Sequence, residues 1–220
     1  MTQRKFLILF LFLLGYLIFY PYAGDSGYRF WAFRALTALV TLFSIYAVSY
    51  RRTIVIVIVL LAIPALLQHS RIKVMHAGTL LIVNAVLTMA FDAFVIAIIF
   101  RRVFRKDKAT SETILGALCV YLLIGFSFTN VYMLEAALQP HAFYLDPLSN
   151  LHSIPDRIDL LYYSFATMTS VGAVGITPAS AQARSLTAIE AVIGVLYLAV
   201  LVARLIGAYG ARARAEAPSE

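Results

Sequence analysis

"TMTSVGAVGITP", residues 167–178, breaks into a chain of long apolar runs with Gly172, Gly175, several hydroxyl residues and Pro178. The residues leading into it, "DLLYYSFATMT" at 159–169, have the periodicity of an amphipathic helix. Eleven residues at 1.5 Å each span about 16 Å, roughly half of a bilayer's hydrocarbon core. A helix of that length entering from one face cannot leave by the other, so the chain has to turn back. Non-helical backbone at membrane depth is tolerated only inside protein or along a water-filled cavity. The stretch therefore reads as a re-entrant pore loop: a half-length helix, an irregular turn over 170–177, and a return ended by Pro178. A helix resting on the outer surface has the same periodicity.

The surroundings fit a membrane. Of 220 residues, 62% are hydrophobic and only 13% charged, and the mean hydropathy is +0.86; a soluble domain keeps about a quarter of its residues charged. Measured against the roughly 20 apolar residues that a helix needs to cross, six spans are expected at 6–22, 30–50, 53–69, 77–100, 112–138 and 184–209. Pro64 makes the limits of the third the least defined. The first has the charged start of a secretory signal, but no clear small-residue cleavage site follows, so an uncleaved span is expected. The net charge of +7 lies in short clusters between apolar runs, as in loops that orient spans, not in the continuous basic face of a nucleic-acid binder. With the N-terminus inside, Arg4, Lys5, Arg51, Arg52, Arg101, Arg102, Arg105, Lys106, Lys108, Arg204, Arg212 and Arg214 are cytoplasmic. Arg29, Arg34, Arg71, Lys73, Arg157 and Arg184 are then outside. The excess places both termini in the cytoplasm, and Tyr20, Tyr22, Tyr28 and Trp31 form an outer aromatic belt. A lone cysteine, Cys119, excludes an intrachain disulfide.

Residues 159–178 followed by "SLTAIEAVIGVLYLAVLVARLIG" resemble the pore helix, filter and inner helix of bacterial six-transmembrane potassium channels, and "ILGALCVYLLIGFSFTNVYMLEAA" resembles their outer helix. The likeness covers about 112–209 and is weak before it. The family's loop reads T-T-V-G-Y-G-D-I-T-P. Thr169, Val171, Gly172, Ile176, Thr177 and Pro178 match it and Ser170 replaces its second threonine, whereas Ala173, Val174 and Gly175 stand where it has tyrosine, glycine and aspartate. In such filters, carbonyl oxygens from four chains replace the hydration shell of potassium. The resemblance makes Thr169, Ser170, Val171, Gly172, Ala173, Val174 and Gly175 the expected ion pathway, with K+ or other monovalent cations as permeant ions and no cofactor. A β-branched residue in the family's positive-φ position would cost about 1–3 kcal/mol, so the usual filter shape is not expected at Val174. Two outcomes follow: a wider, hydrated and weakly selective path, or a dry constriction on Val171 and Val174. Gly175 restores local freedom one place on, in a register that displaces the carbonyls.

Gly194 occupies the place of the family's inner-helix hinge and is the expected gating hinge, with close helix packing as the alternative. Glu190, one turn earlier, either faces the cavity or bonds to the back of the pore helix, and a scaffold for the loop favours the second. Asn84, Thr88 and Asp92 form a polar stripe on the fourth span, expected to bond to a second stripe at Thr37, Thr41 and Ser44. Voltage sensing needs arginines within a span, and 77–100 has none. The basic run 101–108 reads as a linker touching anionic lipid. His141, Asp146, His152, Asp156 and Asp159 match no metal-ligand spacing and read as a solvated turret. No nucleotide loop or nucleophile motif is present.

The expected architecture is all-α and integral to the membrane, six helices with a re-entrant pore helix and loop between the fifth and sixth. Residues 1–109 form an N-terminal membrane domain, 110–210 the pore domain and 211–220 a cytoplasmic tail. The chain is expected to assemble as a homotetramer in the plasma or inner membrane and to conduct cations passively. A non-conducting subunit or scaffold that keeps the architecture is the alternative.

Overall fold

The computed structural model describes residues 2–22, 35–36, 38–44, 78–105, 110–150 and 153–216. The expected span at 53–69 lies wholly outside them; of 30–50, only a short helical stretch at 38–44 and two residues before it are described.

Helix α1 runs over Thr2–Phe19 and passes into a 3-10 turn at Tyr20–Tyr22, where Pro21 removes a backbone donor. Helix α2 spans Gly78–Phe104, a turn further than the apolar pattern indicates. Helix α3 spans Ser111–Leu138 behind a Thr110 cap, whose hydroxyl and the Thr113 hydroxyl satisfy each other's backbone N–H. The half-length helix α4, Arg157–Met168, has 12 residues. Helix α5, Ala181–Glu216, has 36, or about 54 Å. It outruns a hydrocarbon core of about 30 Å and takes in most of the expected tail. Helices Ser111–Leu138 and Ala181–Gly207 are long and apolar enough to cross a membrane, and Lys5–Phe19 is a shorter apolar helix.

Apolar residues at helical spacing bring α1, α2, α3 and α5 together. Phe6, Leu9 and Leu13 of α1, Phe91, Val95, Ile99 and Val103 of α2, Ala117, Val120 and Leu123 of α3, and Tyr197 and Leu201 of α5 form one core. Cys119 is buried in it. At one end of this layer Arg102 reaches Glu112 at 3.6 Å and covers the Phe6 ring at 5.6 Å, so one member of the basic run is engaged inside the protein.

The loop residues hang between α3 and α5. Strand β1, Phe143–Leu145, pairs antiparallel with β2, Ile176–Pro178, in the register Phe143↔Pro178, Tyr144↔Thr177 and Leu145↔Ile176. Beneath this ribbon Tyr132, Phe143 and Tyr163 meet edge to face at centroid distances of 5.1 to 5.5 Å, a favourable geometry for aromatic quadrupoles. The far end of the loop is thus fixed to α3 and α4 together.

Candidate functional site

Helix α4 starts sharply. The Asp156 carboxylate accepts from the backbone of Ile158 (2.7 Å) and Asp159 (2.9 Å), and Asp159 accepts from the Asp156 N–H at 3.0 Å. These two aspartates of the expected turret are therefore a capping box. Asp146 binds its own turn, accepting from the Leu148 N–H at 3.1 Å and the Ser149 hydroxyl at 3.2 Å. Among the described residues no group of three or more His, Cys, Asp or Glu side chains could hold a metal; His152 is outside them.

The other end of α4 builds the loop. Thr169 caps the helix, and Ser170 turns left-handed at φ 60°. The N–H of Ser170 then bonds Thr167 O (3.0 Å), while those of Val171 and Gly172 bond Ala166 O (3.0 and 3.1 Å). This is a Schellman-type ending in which the loop's own N–H groups satisfy orphan carbonyls of α4. Gly172 follows at φ 81° and Gly175 at φ 82°. The strain expected at Val174 does not arise, because the left-handed residue after Gly172 is Gly175 and not Val174.

That shift re-aims the end of the loop. The Gly175 carbonyl accepts from the Asp146 N–H (2.9 Å) and the Asn150 amide (2.8 Å), which faces the turret. The Val174 N–H donates to the Tyr162 hydroxyl at 3.1 Å. The loop is thus tied sideways by a phenol on α4. Among the described residues no intramolecular hydrogen bond ends on the carbonyl oxygens of Thr169 to Val174. Val171 and Val174 are 79% and 77% exposed on the protomer.

Glu190 is fully buried behind this loop. Its carboxyl group meets the Tyr132 hydroxyl of α3 and the Ser164 hydroxyl of α4, each at 2.5 Å, and Ser164 also reaches Gly125 O at 2.8 Å. Helices α5, α3 and α4 converge on this one side chain. Gly194 lies where α5 crosses the end of α4: a Cβ there would stand 2.7 Å from Met168 Cγ and 3.1 Å from the Met168 carbonyl carbon. Helix α5 is continuous through it.

Within the polar stripe on α2, Asp92 bonds to α3 rather than to the second stripe. Asp92 accepts from the Asn130 amide of α3 at 2.8 Å, Ser44 turns its hydroxyl back to Val40 O at 2.8 Å, and Thr37 lies outside the described residues. Tyr162, Asn150, Asn130 and Arg157 are the structural partners that sequence reading missed. Their bonds join residues 12 to 38 positions apart, for which periodicity carries no signal.

No curated protein and no solved structure matches the chain. The family model described as "Ion channel" matches residues 117–210, which hold all of the loop and most of its helical frame, a little under half of the chain. That family is one of channels and not of enzymes. Residues 117–210 are thus similar to an ion channel domain, and within them lie most of the two described helices that are long and apolar enough to cross a membrane.

Proposed function

We propose that the chain is a six-span, homotetrameric, potassium-channel-like cation channel that conducts passively and discriminates weakly between potassium and sodium. The observation that carries this reading is the run of carbonyls from Thr169 to Val174 with no partner inside the described protomer. They follow the C-terminus of a half-length helix, whose dipole presents partial negative charge. Carbonyls and a helix C-terminus together are what a dehydrating cation needs. One loop cannot surround an ion, so four copies around an axis complete the path. Weak selectivity follows from the outer end: the Gly175 carbonyl is held by the turret and Ala173 brings no phenol to narrow the ring. In this reading both termini are cytoplasmic in a plasma or inner membrane, the exposed arginines of the 101–108 run face anionic lipid, and Glu190 and Gly194 serve as the scaffold of the loop, with Gly194 also the point about which α5 bends to gate.

Purified protein in planar bilayers under bi-ionic potassium and sodium tests the proposal. Cation current with a reversal potential near zero is expected; an anion current or tight potassium selectivity would overturn it. The exposed Val171 and Val174 side chains favour a second reading, a dry constriction in a non-conducting subunit. Absence of flux from intact tetramers in liposomes would select it.

A further inference from the structure

Arg157 is oddly placed for a cation. It is the first residue of α4, where the helix dipole presents partial positive charge and a basic side chain costs about 0.3–1 kcal/mol instead of helping. Asp156 and Asp159 are used by the capping box. The Arg157 guanidinium instead donates to Asn130 Oδ1 at 2.8 Å. The same Asn130 amide donates through its nitrogen to Asp92 Oδ2 at 2.8 Å. Asn130 is buried, and a side-chain amide is well suited to this position because it accepts on one side and donates on the other. The Tyr16 ring of α1 packs edge-on against Phe126 of α3 at 5.1 Å. Tyr16 and Tyr20 also cluster with Leu161 of α4.

We propose that Asn130 is a positioning residue through which the N-terminal helices set the start of the pore helix: the chain Asp92–Asn130–Arg157 joins α2, α3 and α4. The inference rests on the channel reading above. Any displacement of α2 relative to α3 breaks or strains this chain, and the strain falls on the N-terminus of the helix whose other end carries the loop. The basic run that begins in the last turn of α2 would then act on the pore through Asp92, without a charged sensor in the span. Polar chains of this kind, every member satisfied, are worth more than their pairs taken singly.

A charge swap tests the arrangement. Asn130→Asp alone sets two carboxylates against each other, and Asp92→Asn alone removes the charge that completes the chain. Made together they rebuild it in reverse, with an amide at position 92 donating to a carboxylate at 130 that accepts from Arg157. Each single substitution is expected to lower ion flux in liposomes about tenfold, with the double substitution returning most of it. Thermal unfolding in detergent, which needs no flux, is read in parallel and should show the same non-additive recovery. If Asn130→Asp fails to fold, Asn130→Ala and Asp92→Ala replace it, and the double alanine variant should be no worse than Asn130→Ala. Additive damage in both readouts overturns the proposal, as does loss of stability with unchanged flux, which marks a packing role only. No flux from the wild type removes the channel reading and the positioning role with it, while the unfolding cycle still decides whether the three side chains act as a unit.

Discussion

Gly175 carries the largest local stake in the loop. Its φ of 82° is closed to ordinary side chains, and a Cβ there would stand 2.8 Å from Ser149 Cβ and 3.0 Å from Asn150 Nδ2. Gly175→Ala therefore imposes backbone strain of about 1–3 kcal/mol. It also pushes away the Asn150 amide, which holds both Gly175 O (2.8 Å) and Asp146 O (3.0 Å). Two neutral hydrogen bonds at about 0.5–1.5 kcal/mol each bring the total to roughly 2–6 kcal/mol per protomer. That is a large part of a typical domain's stability of about 5–15 kcal/mol. Val174→Gly is the control. Val174 is not at positive φ, so glycine relieves nothing and costs about 0.5–1 kcal/mol in chain entropy. Thermal unfolding of the two purified variants in the same detergent should rank Gly175→Ala far below wild type and Val174→Gly close to it. A Gly175→Ala protein as stable as wild type, or a Val174→Gly protein clearly more stable, would refute the assignment of the left-handed turn. The same geometry predicts that restoring the family's aspartate at Gly175 alone is destructive, because its side chain would enter the turret unless the whole loop changes register.

Glu190→Ala should cost about 2–5 kcal/mol, since it leaves the Tyr132 and Ser164 hydroxyls buried without their shared partner; chemical denaturation of the purified protein measures it. Gly194→Ala should cost about 1–3 kcal/mol by overpacking against the backbone of Met168, which cannot swing aside as a side chain would, and tetramer yield on size exclusion should fall with it. Tyr162→Phe removes the bond to the Val174 N–H. It should cost only about 0.5–1.5 kcal/mol while shifting the reversal potential between potassium and sodium, and an unchanged reversal potential would deny Tyr162 a part in shaping the path.

How much of this is written in the sequence differs from element to element. The half-length helix is legible from its amphipathic periodicity and from the glycines beyond its end; its start is less so, because Asp156 and Asp159, expected in a solvated turret, form its capping box, and the expected 159–169 begins two residues inside the observed Arg157–Met168. The outer and inner helices are legible for the same reason, long apolar runs with polar ends. What the outer end of the loop does was not. A comparison with T-T-V-G-Y-G-D puts strain on Val174, but the backbone obeys local sterics and places the left-handed turn where the glycine is, at Gly175. The consequence, a carbonyl handed to Asn150, depends on a residue 25 positions away in a turn with no periodicity. Asp92 taught the same lesson. A stripe on one helix shows that a polar partner exists and not which helix supplies it, and the partner of Asp92 is Asn130, on α3. For Glu190, the need of a half-length helix for support pointed to the back of the pore helix, where Ser164 meets it.

The central claim, that the loop from Thr169 to Val174 lines a cation path, is tested most directly by thiol chemistry at Val174. The single native cysteine, Cys119, is buried in the helical core, so a Val174→Cys protein offers one accessible thiol. A membrane-impermeant, positively charged thiol reagent added outside flux-competent proteoliposomes should abolish cation flux, and high external potassium should slow the reaction. Complete modification that leaves flux unchanged would contradict the account.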